Sequence, residues 1–239
     1  MFEMFAILLN LIYNKSVKID ILTLFPNMFS PLFESIIGRA KDSGKLEINI
    51  IDIREFSKDK HKKCDDTPFG GGAGMVMTAQ PIFDAINSVI TKKSKLIYLS
   101  PKGEVFKQEK AVELSKEEHL IFLCGHYEGI DERILDIFKP LEISIGDYVL
   151  TGGELPAMVV VDAIARNIEG VLARNSLDEE SHSNGLLEYP QYTRPQVFQG
   201  LEVPEVLLSG NHEEIRKWRE QKSIEITKLR RGDMLKCRK

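Results

Sequence analysis

Three segments of this chain share one pattern: a short apolar run breaks into a loop rich in glycine, proline or serine. They are LIYLSPKG from Leu96 to Gly103, LIFLCGHYEG from Leu120 to Gly129, and LEISIGDYVLTGGELP from Leu141 to Pro156. The last passes straight into an amphipathic stretch that reaches about Glu169. Short apolar runs bounded by turn formers read as strands, and ligands of open α/β sheets bind beyond the carboxyl ends of strands. Three strand ends of this kind predict one composite pocket.

The rest of the chain supplies the alternation such a sheet needs. Val17 to Leu24 is β-rich, and Ser30-Pro31 opens a helical pattern through Leu32, Phe33, Ile36, Ile37 and Ala40 that Gly44 ends. Leu46 to Ile53 alternates as a strand. A polar segment with Lys58, Lys60, His61, Lys62 and Lys63 leads into the loop PFGGGAGMVM, Pro68 to Met77, and Thr78 to Ile90 has helical spacing. Strands near Lys95 to Leu99, Leu120 to Cys124 and Leu141 to Ile145 then alternate with helices near Lys107 to Ser115, Asp131 to Phe138 and Leu155 to Glu169. The fold class is therefore α/β with a mainly parallel sheet. After Gly170 no strand pattern recurs; ARNSLDEESHSNG, Ala173 to Gly185, reads as a mobile linker. Asn211 followed by Glu214 marks a helix start, and Asn211 to Lys239 holds ten Lys/Arg against five Asp/Glu, a small basic helical domain.

With 239 residues, 43% hydrophobic and 28% charged, the chain can bury a core of one or two domains. A net charge of -4 argues against global electrostatic capture of nucleic acid, so any RNA binding must be local. Cys64, Cys124 and Cys237 are odd in number and lack a CxxC, which fits free thiols in a reducing cytoplasm rather than a disulfide framework or zinc knuckle. MFEMFAILLNLIYN at the N-terminus imitates a signal peptide, but its apolar core is shorter than the ~20 residues that span a bilayer. It has no basic n-region and no clear cleavage site, so residues 1–16 read as an extension ahead of the fold.

The glycine run Gly70-Gly71-Gly72-Ala73-Gly74 is neither GxGxxG nor a Walker loop, so it reads as a loop that lets a backbone or a base approach closely. His126 and His182 titrate near neutral pH as a type, yet neither has a partner at triad or metal spacing, and His61, His119 and His212 are equally isolated.

Taken with KIDILTLFP (Lys18 to Pro26), YPQYTRP (Tyr189 to Pro195) and LLSGNHEEIRKWR (Leu207 to Arg219), these motifs resemble the bacterial tRNA (guanine-N1)-methyltransferase family, TrmD, of the knotted SPOUT class, over residues 17 to 235. The resemblance implies a trefoil knot, which general rules of chain threading would not predict, followed by a small all-helical tRNA-binding domain. Its domain plan is an extension 1–16, a cofactor domain 17–172, a flexible linker 173–187 and a helical domain 188–239. It implies a homodimer with the active site at the subunit interface, S-adenosylmethionine as methyl donor and tRNA guanosine 37 as substrate. Magnesium assistance is also implied, although no motif marks a metal site.

Carried onto this chain, the resemblance assigns the cofactor to Tyr98, Leu99, Ser100, Pro101, Gly125, Tyr127, Glu128, Gly129, Ile145, Gly146, Asp147, Tyr148, Val149, Leu150, Gly152, Gly153 and Pro156. It assigns RNA contact to Gly70, Gly71, Gly72 and Met75, and to Arg216, Lys217, Arg219, Arg230 and Arg231, with Trp218 an anchor of the small domain. N1 of guanine carries a hydrogen, so methylation needs a base and benefits from a cation near O6. Arg166 matches the family's assisting arginine. The family's catalytic aspartate sits in a motif like EDSF; here DEESH places Glu180 at that position, with Asp178 the competing base. Two rivals stay open: a SPOUT methyltransferase acting on another RNA position, and a non-catalytic tRNA-binding protein that has lost its base.

Overall fold

A computed structural model describes residues 16–172, 180–182 and 184–236. The N-terminal extension through residue 15, Asp178 and most of the expected linker therefore lie outside the described residues. The chain divides into two compact units, Met1–Leu172 and Ala173–Lys239.

The first unit is built on five parallel strands, β1 Val17–Thr23, β2 Leu46–Asp52, β3 Ser94–Val105, β4 His119–Cys124 and β5 Leu141–Ser144, ordered β2-β1-β4-β3-β5. Parallel neighbours need crossovers, and helices α1 Ser35–Asp42, α2 Ala79–Val89, α3 Gln108–Leu114 and α4 Glu132–Phe138 occupy the four connections, with α5 Glu154–Ala165 following β5. Every residue of β4 is buried, as expected of a strand covered on both faces. The period of two splits the core. Ile19, Ile21, Ile97, Leu120 and Phe122 pack with Ala111, Leu114, Ala157, Val160 and Ile164 on one face. Leu22, Leu96, Ile121 and Leu123 pack with Ile82, Ala85, Ile86 and Ile134 on the other. Each fully buried Val, Leu, Ile or Phe side chain among these contributes about 1.5–3 kcal/mol.

Two local expectations are corrected. The single helix expected after Ser30-Pro31 is a 3-10 segment, Pro26–Phe33, then α1, separated by the extended Glu34, with φ 56° at Ser35. The break depends on Gly38, because a Cβ there would collide with the Phe33 carbonyl oxygen. β3 does not end at Leu99; it runs on to Val105 through a register shift between Leu99 and Glu104 against β5. Gly103 permits this, since a Cβ would lie 2.5 Å from the Ile143 nitrogen.

At the amino end of the sheet a polar cluster joins three strands. His119 at the start of β4 approaches Asp20 Oδ2 of β1 at 2.8 Å and Ser94 Oγ of β3 at 2.8 Å. Asp20 is 1% exposed and also meets Asn49 Nδ2 at 2.9 Å and Lys18 Nζ at 3.2 Å. His119 is thus not isolated, as its sequence neighbours suggest, because its partners come from other strands.

In the second unit Asn211 caps α7, His212–Arg230, by accepting from the amides of Glu213 and Glu214 at 3.2 and 3.3 Å. Helices α6 Glu205–Leu208 and α8 Gly232–Lys236 flank it. The unit is not all-helical: Val197–Phe198 and Leu201–Glu202 form a two-residue antiparallel ladder. A ladder this short leaves no periodic signal to read. Among the described residues no helix is long and apolar enough to cross a membrane.

Removing the His119 imidazole leaves the buried Asp20 carboxylate short of a partner. His119→Ala should lower the unfolding free energy by about 3 kcal/mol, read from urea denaturation, with Asp20→Asn on the same background recovering part of the loss.

Candidate functional site: a glycine-walled pocket at the carboxyl edge of the sheet

The carboxyl ends of β3, β4 and β5 open onto one cavity. All the residues assigned to the cofactor line it except Asp147, which is exposed beside it. Lining residues outside the cofactor assignment include Lys102, His126, Glu132, Glu142 and Thr151. All but Glu132, at the start of α4, lie within the three segments whose convergence the loop pattern predicts, but the pattern does not tell which side chains of a segment face the cavity.

Backbone makes most of the wall. Gly153 N donates to Gly125 O at 2.7 Å, and Gly152 pairs with His126 in an antiparallel bridge, so the loops after β4 and β5 are hydrogen-bonded to each other. A Cβ on Gly153 would lie 2.8 Å from Cys124 Cα and 2.9 Å from Gly125 N, which only glycine avoids. On the pocket floor, burial and then the charges of Glu142 and Glu132 push the Tyr98 phenol up to about 12, so it stays a neutral donor. Carboxylates of Glu128, Glu132 and Glu142 give the wall a negative cast suited to a cationic ligand. Exposed backbone, a phenol and surrounding acids form a donor and acceptor set that fits S-adenosylmethionine, whose sulfonium is positive.

The glycine loop rises beside this pocket. Asp65–Asp66 and Val76–Met77 pair as an antiparallel ladder at its base, and Glu128 N donates to Met75 O at 3.0 Å. Gly70, Gly71 and Gly72 are exposed with φ of 87°, 80° and 125°, so their need for glycine is conformational, not one of space. Gly74 differs: a Cβ would lie 2.6 Å from the Glu128 side chain. Phe69 at the loop tip is fully exposed.

Arg166 caps the carboxyl end of α5. In the second unit Glu180 lines a cavity with Tyr189, His212, Arg216, Arg219 and Ser223. A neighbouring cavity is walled by Tyr189, Tyr192, Trp218, Arg194 and Arg219, with the Arg219 guanidinium 4.7 Å over the Tyr189 ring. Trp218, half-buried, faces Tyr192 at 6.3 Å. Arg216 and Arg230 are exposed; Lys217 pairs with Glu213 and Glu214, and Arg231 with Asp233. Exposed pairs of this kind contribute ~0–1 kcal/mol, so a phosphate can compete for these cations. Among the described residues no cluster of three His, Cys, Asp or Glu forms a metal site.

The family model for tRNA (Guanine-1)-methyltransferase TrmD matches residues 17–237. The chain belongs to this family. It is 59% identical over 222 residues to the tRNA (guanine-N(1)-)-methyltransferase of Ruminiclostridium cellulolyticum, covering 91% of this chain and 95% of that protein. The enzymes of the same name from Alkaliphilus metalliredigens and Caldanaerobacter subterraneus subsp. tengcongensis are each 61% identical, over 226 and 220 residues. These span 92% of this chain and 92% of the first relative, and 91% of this chain and 91% of the second.

Two outcomes follow from the pocket wall. Gly153→Ala should destabilise the unit by about 1–3 kcal/mol and abolish cofactor binding, measured by thermal melting and calorimetry. Because the Tyr98 phenol titrates higher folded than unfolded, its stabilising effect is whole below pH 10.0 and is lost as pH rises toward about 12. Tyr98→Phe should flatten that part of the stability profile measured by urea midpoints.

Proposed function

We propose that this protein transfers the methyl group of S-adenosylmethionine to N1 of the guanosine at tRNA position 37. The observation that carries the reading is a family match over nearly the whole chain to relatives that bear the name of this reaction. The cavity at the ends of β3, β4 and β5 supports it by offering one site built from the three loops concerned.

S-adenosylmethionine supplies an electrophilic methyl whose bond to sulfur breaks as the new bond to N1 forms. The protein's task is to make N1 a nucleophile. Glu180 accepts the N1 proton, and the Arg166 guanidinium meets the negative charge that grows on O6. Glutamate presents the aspartate's carboxylate one methylene further from its backbone. Gly70 to Met75 and the basic side chains Arg216, Lys217, Arg219, Arg230 and Arg231 face the RNA, with the second unit as the tRNA-binding domain.

The active unit is a homodimer. α5 begins at the pocket with Glu154 and reaches Arg166 only after about 18 Å of helix, so Arg166 lies far from the pocket of its own subunit. A second copy supplying Arg166 and the base removes this separation. Leu155 and Val159, one turn apart on α5 and about half exposed, give the apolar face such a contact needs. We read the cofactor segment as knotted in the SPOUT manner, supported by family membership, and magnesium as an assistant of the reaction, tested by chelation.

Labelled methyl transfer to a tRNA transcript with guanosines at positions 36 and 37 tests this reading. Glu180→Gln should lower product formation by about 10²-fold or more, while Asp178→Asn stays near the unmodified chain. Loss confined to Asp178→Asn reassigns the base. Binding of cofactor and tRNA without N1-methylguanosine would favour the non-catalytic protein.

A further inference from the structure

Beneath the pocket wall lies a buried polar chain that methyl transfer does not account for. Glu154, the first residue of α5, is 1% exposed, and its Oε1 accepts a hydrogen bond of 2.9 Å from Thr23 Oγ1 at the end of β1. The Thr23 hydroxyl oxygen also accepts from Phe25 N at 2.9 Å, so the hydroxyl is held from both sides. The second carboxylate oxygen, Oε2, faces His126 Nδ1 at 3.7 Å. That nitrogen is buried and makes no hydrogen bond. The imidazole lies with its centroid 4.7 Å from the Phe25 ring and 4.9 Å from the Tyr127 ring, nearly perpendicular to the latter.

A buried carboxylate is costly unless it is paired and hydrogen-bonded. The start of α5 offsets part of that cost through its backbone amides and dipole, and Thr23 supplies one hydrogen bond. The remaining oxygen and the unpartnered Nδ1 complement each other. Their separation exceeds hydrogen-bond reach by only about 0.5 Å.

The pair lies where two pocket loops cross. A Cβ on Gly152 would come within 2.6 Å of His126 Nδ1 and closer still to Glu154 Oε2, so the Gly152 backbone rests directly on the pair. Both His126 and Gly152 line the cavity. The charge of Glu154, second to burial, also raises the adjoining Cys124 thiol.

We propose that Glu154, anchored by Thr23, is a positioning residue that holds His126 and thereby sets the spacing between the 125–129 and 146–153 loops around the cofactor. Ligand binding draws the loops together and closes the gap between Glu154 Oε2 and His126 Nδ1. This role rests on the reading that the cavity holds S-adenosylmethionine.

Calorimetric binding of S-adenosylmethionine by the full chain, with KM for cofactor and tRNA taken separately, tests it. Glu154→Gln and His126→Ala should each weaken cofactor binding about tenfold, and the double variant no more than the weaker single. KM for tRNA should stay within twofold of the unmodified chain. Thr23→Val should follow Glu154→Gln, whereas Thr23→Ser, which keeps the hydroxyl, should restore binding. Additive losses in the double variant, or unchanged affinity in Glu154→Gln, overturn the proposal. So does a loss of affinity that merely tracks melting temperature across all variants, Thr23→Ser included. Should Glu154→Gln fail to fold, Thr23→Val, Thr23→Ser and His126→Ala decide the outcome by the same criteria. An unmodified chain that does not bind S-adenosylmethionine overturns the pocket reading itself, a result distinct from any failure of Glu154.

Discussion

The contact between Gly153 and the Cys124-Gly125 backbone is the constraint on which the site depends. A 2.7 Å hydrogen bond from Gly153 N to Gly125 O draws the start of α5 onto the end of β4, closer than any side chain at Gly153 would allow. From that contact follow the position of the 146–153 loop, the entry of α5 against the sheet, and the burial of Glu154. The apolar face of α5 then completes one half of the core through Ala157, Val160, Val161 and Ile164.

The sheet carries polar groups at both ends of an otherwise apolar interior, with different consequences. At the amino end Asp20, His119 and Ser94 hold β1, β4 and β3 in register through contacts of 2.8 Å. At the carboxyl end Thr23 and Glu154 are bonded, but Glu154 and His126 stop short at 3.7 Å. A satisfied cluster rigidifies; an incomplete one next to a cavity leaves room for a small movement. The ligand-facing edge is the less closed of the two.

Much of the fold was legible because its signals are local. The buried run of β4, the apolar spacing of α2 and the cap at Asn211 each depend on neighbours within a few residues. The pocket was legible for a related reason, since parallel strands send successive loops to the same edge. Misreadings arose where backbone meets backbone. Gly38 and Gly103 look like ordinary glycines in the sequence, yet they permit the break before α1 and the bulge of β3. The ladder at Val197–Phe198 and Leu201–Glu202 is too short to show a period. The partners of His119 and His126 were missed because they sit on other strands and helices, where spacing rules have no purchase.

The sequence by itself determined an α/β chain with a ligand edge and, through long ordered motifs, membership of a tRNA-methylating family. Periodicity and turn chemistry encode those features residue by residue. Only the tertiary structure decided which loops touch and which side chains share a cavity. It also decided that Glu154, an unremarked acid in the sequence, is buried against Thr23 and His126. Such pairings depend on strand order and helix entry, which bring distant residues to within a few ångströms once the backbone has closed on itself.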